Sequence, residues 1–152
     1  MNKNFTLSAS DFTEILNERF ASGADVQLVV TGNSMLPFLA DKRDKVTLTS
    51  FKGKAEKGDI LFYRRPDGKC VLHRVINATE DDVYFVGDAQ NVIEGPVNIS
   101  DVLAECNEVT RKGKLFNKQS FLWWFFSHIW INIIPLRLTI IKFIGKIKNS
   151  HK

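Results

Sequence analysis

Residues 59–76, DILFYRRPDGKCVLHRVI, decide the fold. The run Ile60-Leu61-Phe62-Tyr63 is short, apolar and rich in β-formers. It stops at Pro66-Asp67-Gly68, where proline presets one turn dihedral and glycine supplies the reversed one. Cys70 to Ile76 then returns with the same character. Two such runs around a turn predict an antiparallel hairpin, with strands over 59–65 and 70–76. Outward from this hairpin the pattern repeats. Val26 to Thr31, Lys45 to Thr49 (Val46 and Leu48 on one face), Val83 to Val86 and Val102 to Val109 are further strand segments. Five or six short strands at close intervals predict a mainly β fold, a coiled antiparallel sheet or partial barrel. Before it, Phe12, Ile15, Leu16 and Phe20 recur at helical spacing. They predict a helix over Asp11 to Ala21, capped by Ser10 or Asp11 and ended by Gly23.

The chain has 152 residues, and 44% of them are hydrophobic, which suits one folded domain rather than a disordered chain. The formal charge of +4 is unevenly placed. Residues 1 to 117 sum to −2. Residues 118 to 152 hold Lys118, Arg137, Lys142, Lys146, Lys148 and Lys152 and no acid, a sum of +6. A near-neutral domain with a basic tail is not the pattern of a nucleic-acid binder. Cys70 and Cys106 are too few for a disulfide framework and are expected as small core residues, with one bridge possible. No CxxC and no His/Cys cluster of zinc spacing occurs, so neither metal nor cofactor is expected. Met1 to Ser10 lacks an apolar core, so no cleavable signal peptide or anchor is expected there. The division expected is a helical segment over 1–25, a β domain over 26–117 and a tail over 118–152.

That tail holds all three tryptophans, Trp123, Trp124 and Trp130. Phe121 to Ile134 is apolar almost all round, but as a helix it would reach only about 21 Å against a bilayer core of about 30 Å. Beyond Pro135, Leu136, Ile140, Phe143, Ile144 and Ile147 form one stripe, and Thr139, Lys142, Lys146 and Asn149 the other. Aromatic rings with a lysine face suit an interfacial helix on anionic lipid better than a full span, so membrane lipid is an expected partner of Phe121–Ile147. The basic end favours the cytoplasmic side. The competing expectation is a pair of helices packed on the sheet. On the division above, a chain ending at Asn117 would stay soluble and lose its hold on anionic vesicles.

Val29-Val30-Thr31-Gly32-Asn33-Ser34-Met35-Leu36-Pro37 places a serine at a Gly-Asn bend just after an apolar strand. A serine hydroxyl is a poor nucleophile until a base takes its proton. His73 is the only histidine in the β region, since His128 and His151 lie in the tail. With an ordinary pKa of about 6.5 it can serve as that base near neutral pH.

Four boxes then occur in order: Ser34-Met35-x-Pro37, Gly58-Asp59-Ile60, His73-Arg74-Val75 and Gly87-Asp88. Over residues 28 to 110 this order resembles the signal peptidase I superfamily, which also holds the self-cleaving LexA-type repressors. A histidine before the Arg-Val pair, where bacterial signal peptidases have lysine, is similar to the Ser–His branch of endoplasmic-reticulum and archaeal enzymes. The pattern also resembles small clostridial proteins usually called S24/S26-type peptidases. The resemblance implies the sheet of that superfamily and a serine endopeptidase acting on leader or signal-type peptides. It implies Ser34 as nucleophile, His73 as base, and a carboxylate, Glu94 or Asp88, to orient the imidazole. Asp59 is expected to fix a turn. Gly32 stands where many members carry a second hydroxyl for the oxyanion hole. The Ser34 N–H, with Thr31 or Asn33, is the expected substitute, and Met35 is expected beside the substrate. The alternative is a peptide-binding module without turnover. A self-cleaving repressor is not expected, because no Ala-Gly or Cys-Gly pair precedes Ser34.

Overall fold

A computed structural model describes residues 8–150. Met1–Leu7 of the N-terminal segment, and His151 and Lys152 of the tail, lie outside the described residues. The first helix, α1, is Ala9–Ala21. It starts two residues earlier than its periodicity predicts, because Ser8 is the cap. Ser8 accepts the Asp11 N–H while the Asp11 carboxylate accepts the Ser8 N–H. Asp11 is therefore inside the first turn rather than at the cap.

Eight strands follow: β1 Val26–Val29, β2 Asp44–Thr49, β3 Ile60–Arg64, β4 Cys70–Ala78, β5 Asp82–Val86, β6 Glu94–Asn98, β7 Val102–Arg111 and β8 Lys114–Asn117. They form one antiparallel sheet in the order β1-β2-β7-β3-β4-β5-β6, with β8 paired to β7. The expected hairpin is β3–β4, with Leu61 opposite His73 and Tyr63 opposite Val71. Register shifts in β2–β7, β3–β7, β4–β5 and β5–β6 mark bulges, which bend and twist the sheet. The two strands absent from the sequence reading are β6 and β8.

Strand β3 is buried on both faces, which is why its sequence is a continuous apolar run rather than an alternation. Ile60 and Phe62 point into a larger core with Val46, Leu48, Ala104, Cys106 and Val109. Leu61 and Tyr63 point into a smaller one with Val75, Val83, Phe85 and Val102. Helix α1 closes the larger core through Leu16, and its Phe12 meets Phe62 edge-on at 5.5 Å between centroids. Both cysteines are free. Cys106 is buried and Cys70 half-buried.

The C-terminal segment is partly buried against the strands and partly exposed. Helix α2 is Phe121–His128, a 3-10 turn spans Trp130–Asn132, and helix α3 is Ile134–Ser150. Trp123, Phe126 and Trp130 are buried in the same core as the strands, with Phe38 meeting Trp123 edge-on. A cut at Asn117 would remove them, so that chain would open the core rather than release a tail. Of the expected stripe, Ile140 packs inward, while Leu136, Phe143, Ile144 and Ile147 are exposed. Hydropathy could not separate these fates, because a core and a lipid tail are equally apolar. Among the described residues no single helix is long and apolar enough to cross a membrane; α2 with its 3-10 turn and α3 pass that test only as a pair bent by 119°. Pro135 sits in the first turn of α3, where its missing N–H breaks no bond.

Candidate active site

Ser34 lies in the turn between β1 and β2, and His73 lies in β4. The turn is braced from behind. The Gly32 N–H donates to the Asp41 carboxylate at 2.8 Å, and the buried Asp44 carboxylate takes bonds from Arg43, Arg111 and the Ala40 N–H. Gly32 has φ +79°, a left-handed backbone that strains any side chain. A serine there would be costly in this turn. The bracing brings the Ser34 Oγ to 3.2 Å from His73 Nε2. That is the outer limit of hydrogen-bond reach, as is common without substrate.

His73 is almost wholly buried. Burial holds its imidazole down to about 4; Arg65 adds to this, while Glu94 and Asp88 oppose it. The ring is therefore neutral at pH 7, the form a base needs. Its Nδ1 is 3.2 Å from the Tyr63 hydroxyl and 3.9 Å from Glu94 Oε2. Only the first is a hydrogen bond. Burial raises the Tyr63 hydroxyl above its ordinary pKa, and the neighbouring Glu94 raises it further. Glu94 is itself held below the usual carboxylate range, first by Arg65, which grips it with two bonds of 2.8 Å. A consistent proton arrangement follows. Nε2 accepts from Ser34, Nδ1–H donates to the Tyr63 oxygen, and the Tyr63 O–H turns toward Glu94.

Of the two carboxylates expected at the histidine, Glu94 is near it and Asp88 is not bonded to it. Asp88 is fully buried and accepts from Arg74 at 2.8 and 2.9 Å. Arg74 also donates to the Gly58 carbonyl and to Ser127 Oγ. The Gly-Asp and His-Arg boxes thus meet in a buried ion pair, and both Asp88 carboxylate oxygens are taken by Arg74 rather than by His73. Asp59 accepts the Glu56 N–H and closes its turn.

No acceptor among the described residues takes the Ser34 backbone N–H, which leaves it available to an oxyanion. Thr31 and Asn33 are exposed beside it, but the Asn33 carbonyl is engaged by the Leu36 N–H. Met35 is buried, with its Sδ 3.5 Å from the Asp88 amide. A cavity of about 280 Å³ opens beside Ser34, walled by Leu28, Val30, Met35, Phe62, Cys70 and Leu72 among others. Thr31 reaches this wall and Asn33 does not. The cavity lies between two free edges. One is β1, which among the described residues pairs only with β2; the other is the start of β4, whose pairing with β5 begins at Arg74.

Tyr63 and Arg65 are the functional candidates the sequence reading missed. The signal was present in the hairpin register. Tyr63 is two residues along from Leu61, the partner of His73, and so shares its face.

No protein-family model matches the chain, and no curated protein sequence matches it.

Proposed function

We propose that this chain is a serine endopeptidase of the signal-peptidase superfamily, cleaving leader or signal-type peptides by a Ser–His mechanism at a membrane surface. The observation that carries this reading is the 3.2 Å approach of Ser34 Oγ to a buried, neutral His73 at the mouth of an apolar groove. Four superfamily boxes meeting on one antiparallel sheet support it. An extended peptide would add along the free edges of β1 and β4, its apolar side chains entering the groove. His73 Nε2 takes the Ser34 proton as Oγ attacks the scissile carbonyl. The oxyanion faces the Ser34 N–H. Collapse breaks the C–N bond, and the leaving amine takes the proton from Nε2. Water then gives a proton to Nε2 and attacks the ester, releasing the carboxylic product and restoring Ser34.

The test is phosphonylation by a fluorophosphonate probe, in which Oγ bonds to phosphorus and fluoride leaves, with the adduct located by peptide mass spectrometry. Label on Ser34 is expected. A peptide-binding module without turnover gives no label there. The rate should rise as pH climbs through about 4, where His73 loses its proton, and stay level to neutrality. Stability follows the same sign. Between the unfolded value of 6.5 and the folded value of about 4, only the unfolded chain holds the proton, so stability falls as pH drops through that window. A rate midpoint near 6.5 would show that His73 is not the base in this buried state.

The exposed Trp124, Phe121, Leu136, Phe143, Ile144 and Ile147, with Lys142, Lys146 and Lys148, support interfacial binding to anionic lipid. Reversing the three lysines to glutamate leaves the core intact. At about 1 kcal/mol per lysine, their loss alone should lower affinity for phosphatidylserine vesicles by at least about 100-fold. Equal sedimentation of both proteins with vesicles would reject the interfacial reading.

A further inference from the structure

The loop Gly87-Asp88-Ala89-Gln90 presses on the nucleophile turn. The Ala89 N–H donates to the Ser34 carbonyl at 2.9 Å. Gly87 approaches so closely that a Cβ on it would stand 2.5 Å from that same carbonyl oxygen. No other residue fits there, which gives the glycine of this box a physical reason. The position of Ser34 is therefore set by the position of this loop.

The far side of the loop is held by the C-terminal segment. Trp130 Nε1–H donates to the Asp88 carbonyl at 2.8 Å. Arg137 reaches the Gly87 carbonyl at 3.1 Å and the Gln90 carbonyl at 3.3 Å, and its Nε–H donates to the Trp130 carbonyl at 3.1 Å. Arg137 is fully buried, has no carboxylate partner, and leaves Nη2 without an acceptor among the described residues. A buried, unpaired guanidinium is an expensive way to fill space, and a leucine would pack at lower cost. What leucine could not do is hold three carbonyls in fixed relation.

We propose that Trp130 and Arg137 are positioning residues for the Ser34 nucleophile, acting through the Gly87–Gln90 loop. The proposal rests on the peptidase reading for its catalytic consequence and on hydrogen bonds alone for its mechanical one. A displacement of about 1 Å in a reacting atom can cost on the order of 100-fold in rate. The relay from indole and guanidinium to loop to Ser34 therefore sets how often Oγ and Nε2 are in reach.

The experiment uses the full chain and three variants, Trp130→Phe, Arg137→Lys and Arg137→Met. Fluorophosphonate labelling is followed across pH, with thermal unfolding and amide hydrogen exchange measured on the same samples. Trp130→Phe removes one hydrogen bond and keeps most of the ring. It should lower the plateau rate on the order of tenfold. The pH midpoint should stay where His73 sets it, and exchange of the Ala89 amide should quicken by a similar factor relative to Val75. Arg137→Met should lose more, and Arg137→Lys should recover part of that loss. Folded variants with the wild-type plateau and wild-type Ala89 exchange overturn the proposal, as does a shift in midpoint with the plateau unchanged. If Arg137→Met does not fold, Trp130→Phe decides. If the wild-type chain takes no label at Ser34, the peptidase reading fails; Ala89 exchange in Trp130→Phe still decides whether the indole holds the loop.

Discussion

On the proposed Ser–His mechanism, Ser34→Ala and His73→Ala should each lower cleavage of a leader-type peptide by at least about 10³-fold. The reason is that each removes half of one device. Without the hydroxyl no acyl intermediate forms, and without the imidazole the hydroxyl keeps its proton at pH 7. The double variant should be no slower than the worse single one, because the two groups act as a unit. Both substitutions are tolerable to the fold. Ser34 is only half-buried in a turn, with an open cavity of about 280 Å³ beside it. His73→Ala leaves a void next to Tyr63, so its unfolding midpoint is to be recorded with its rate. Wild type and both variants cleaving a peptide library at one rate would remove Ser34 and His73 from the mechanism.

The second large effect is on stability. Asp88→Ala leaves the Arg74 guanidinium fully buried with only a carbonyl and a hydroxyl to serve it. Breaking a buried pair by one member costs about 3–5 kcal/mol. For a domain of this size that lowers the thermal midpoint by roughly 10 °C. Replacing both partners at once, Arg74→Met with Asp88→Leu, should recover much of the loss, since no charge is then stranded. Thermal unfolding of the two proteins checks this. If Asp88→Ala keeps the wild-type midpoint and loses only activity, Asp88 belongs to the chemistry after all.

Much of this arrangement was legible in the sequence, for local reasons. β3, β4, β5 and β7 announced themselves because each is an apolar run bounded by turn residues. β6 did not, because Glu94-Gly95-Pro96 reads as a break. It survives as a strand because it lies at the sheet edge, where a proline removes no ladder bond. β8 was hidden by its length of four residues and by a Lys112-Gly113 turn. Both residues there have positive φ, a geometry for which Asn-Gly is the usual mark. Ser34 and His73 were legible from residue type and order. The Tyr63 and Arg65 contributions needed the register, and the bond of Asp88 to Arg74 needed the fold itself. The aromatic tail was ambiguous in principle: what buries Trp123 and Trp130 and leaves Trp124 exposed is the shape of the surface they meet.

The order in which the larger core is filled has a consequence for how the protein is made. Leu16 shares that core with Trp130, more than a hundred residues later in sequence, and β2 pairs across the core with β7 at separations near 60 residues. Contacts so far apart in sequence are slow to form and close only when the last participant is present. A nascent chain paused after β8 would expose the face later covered by Trp123, Phe126 and Trp130. Synthesis therefore has to pass Trp130 before the core can close.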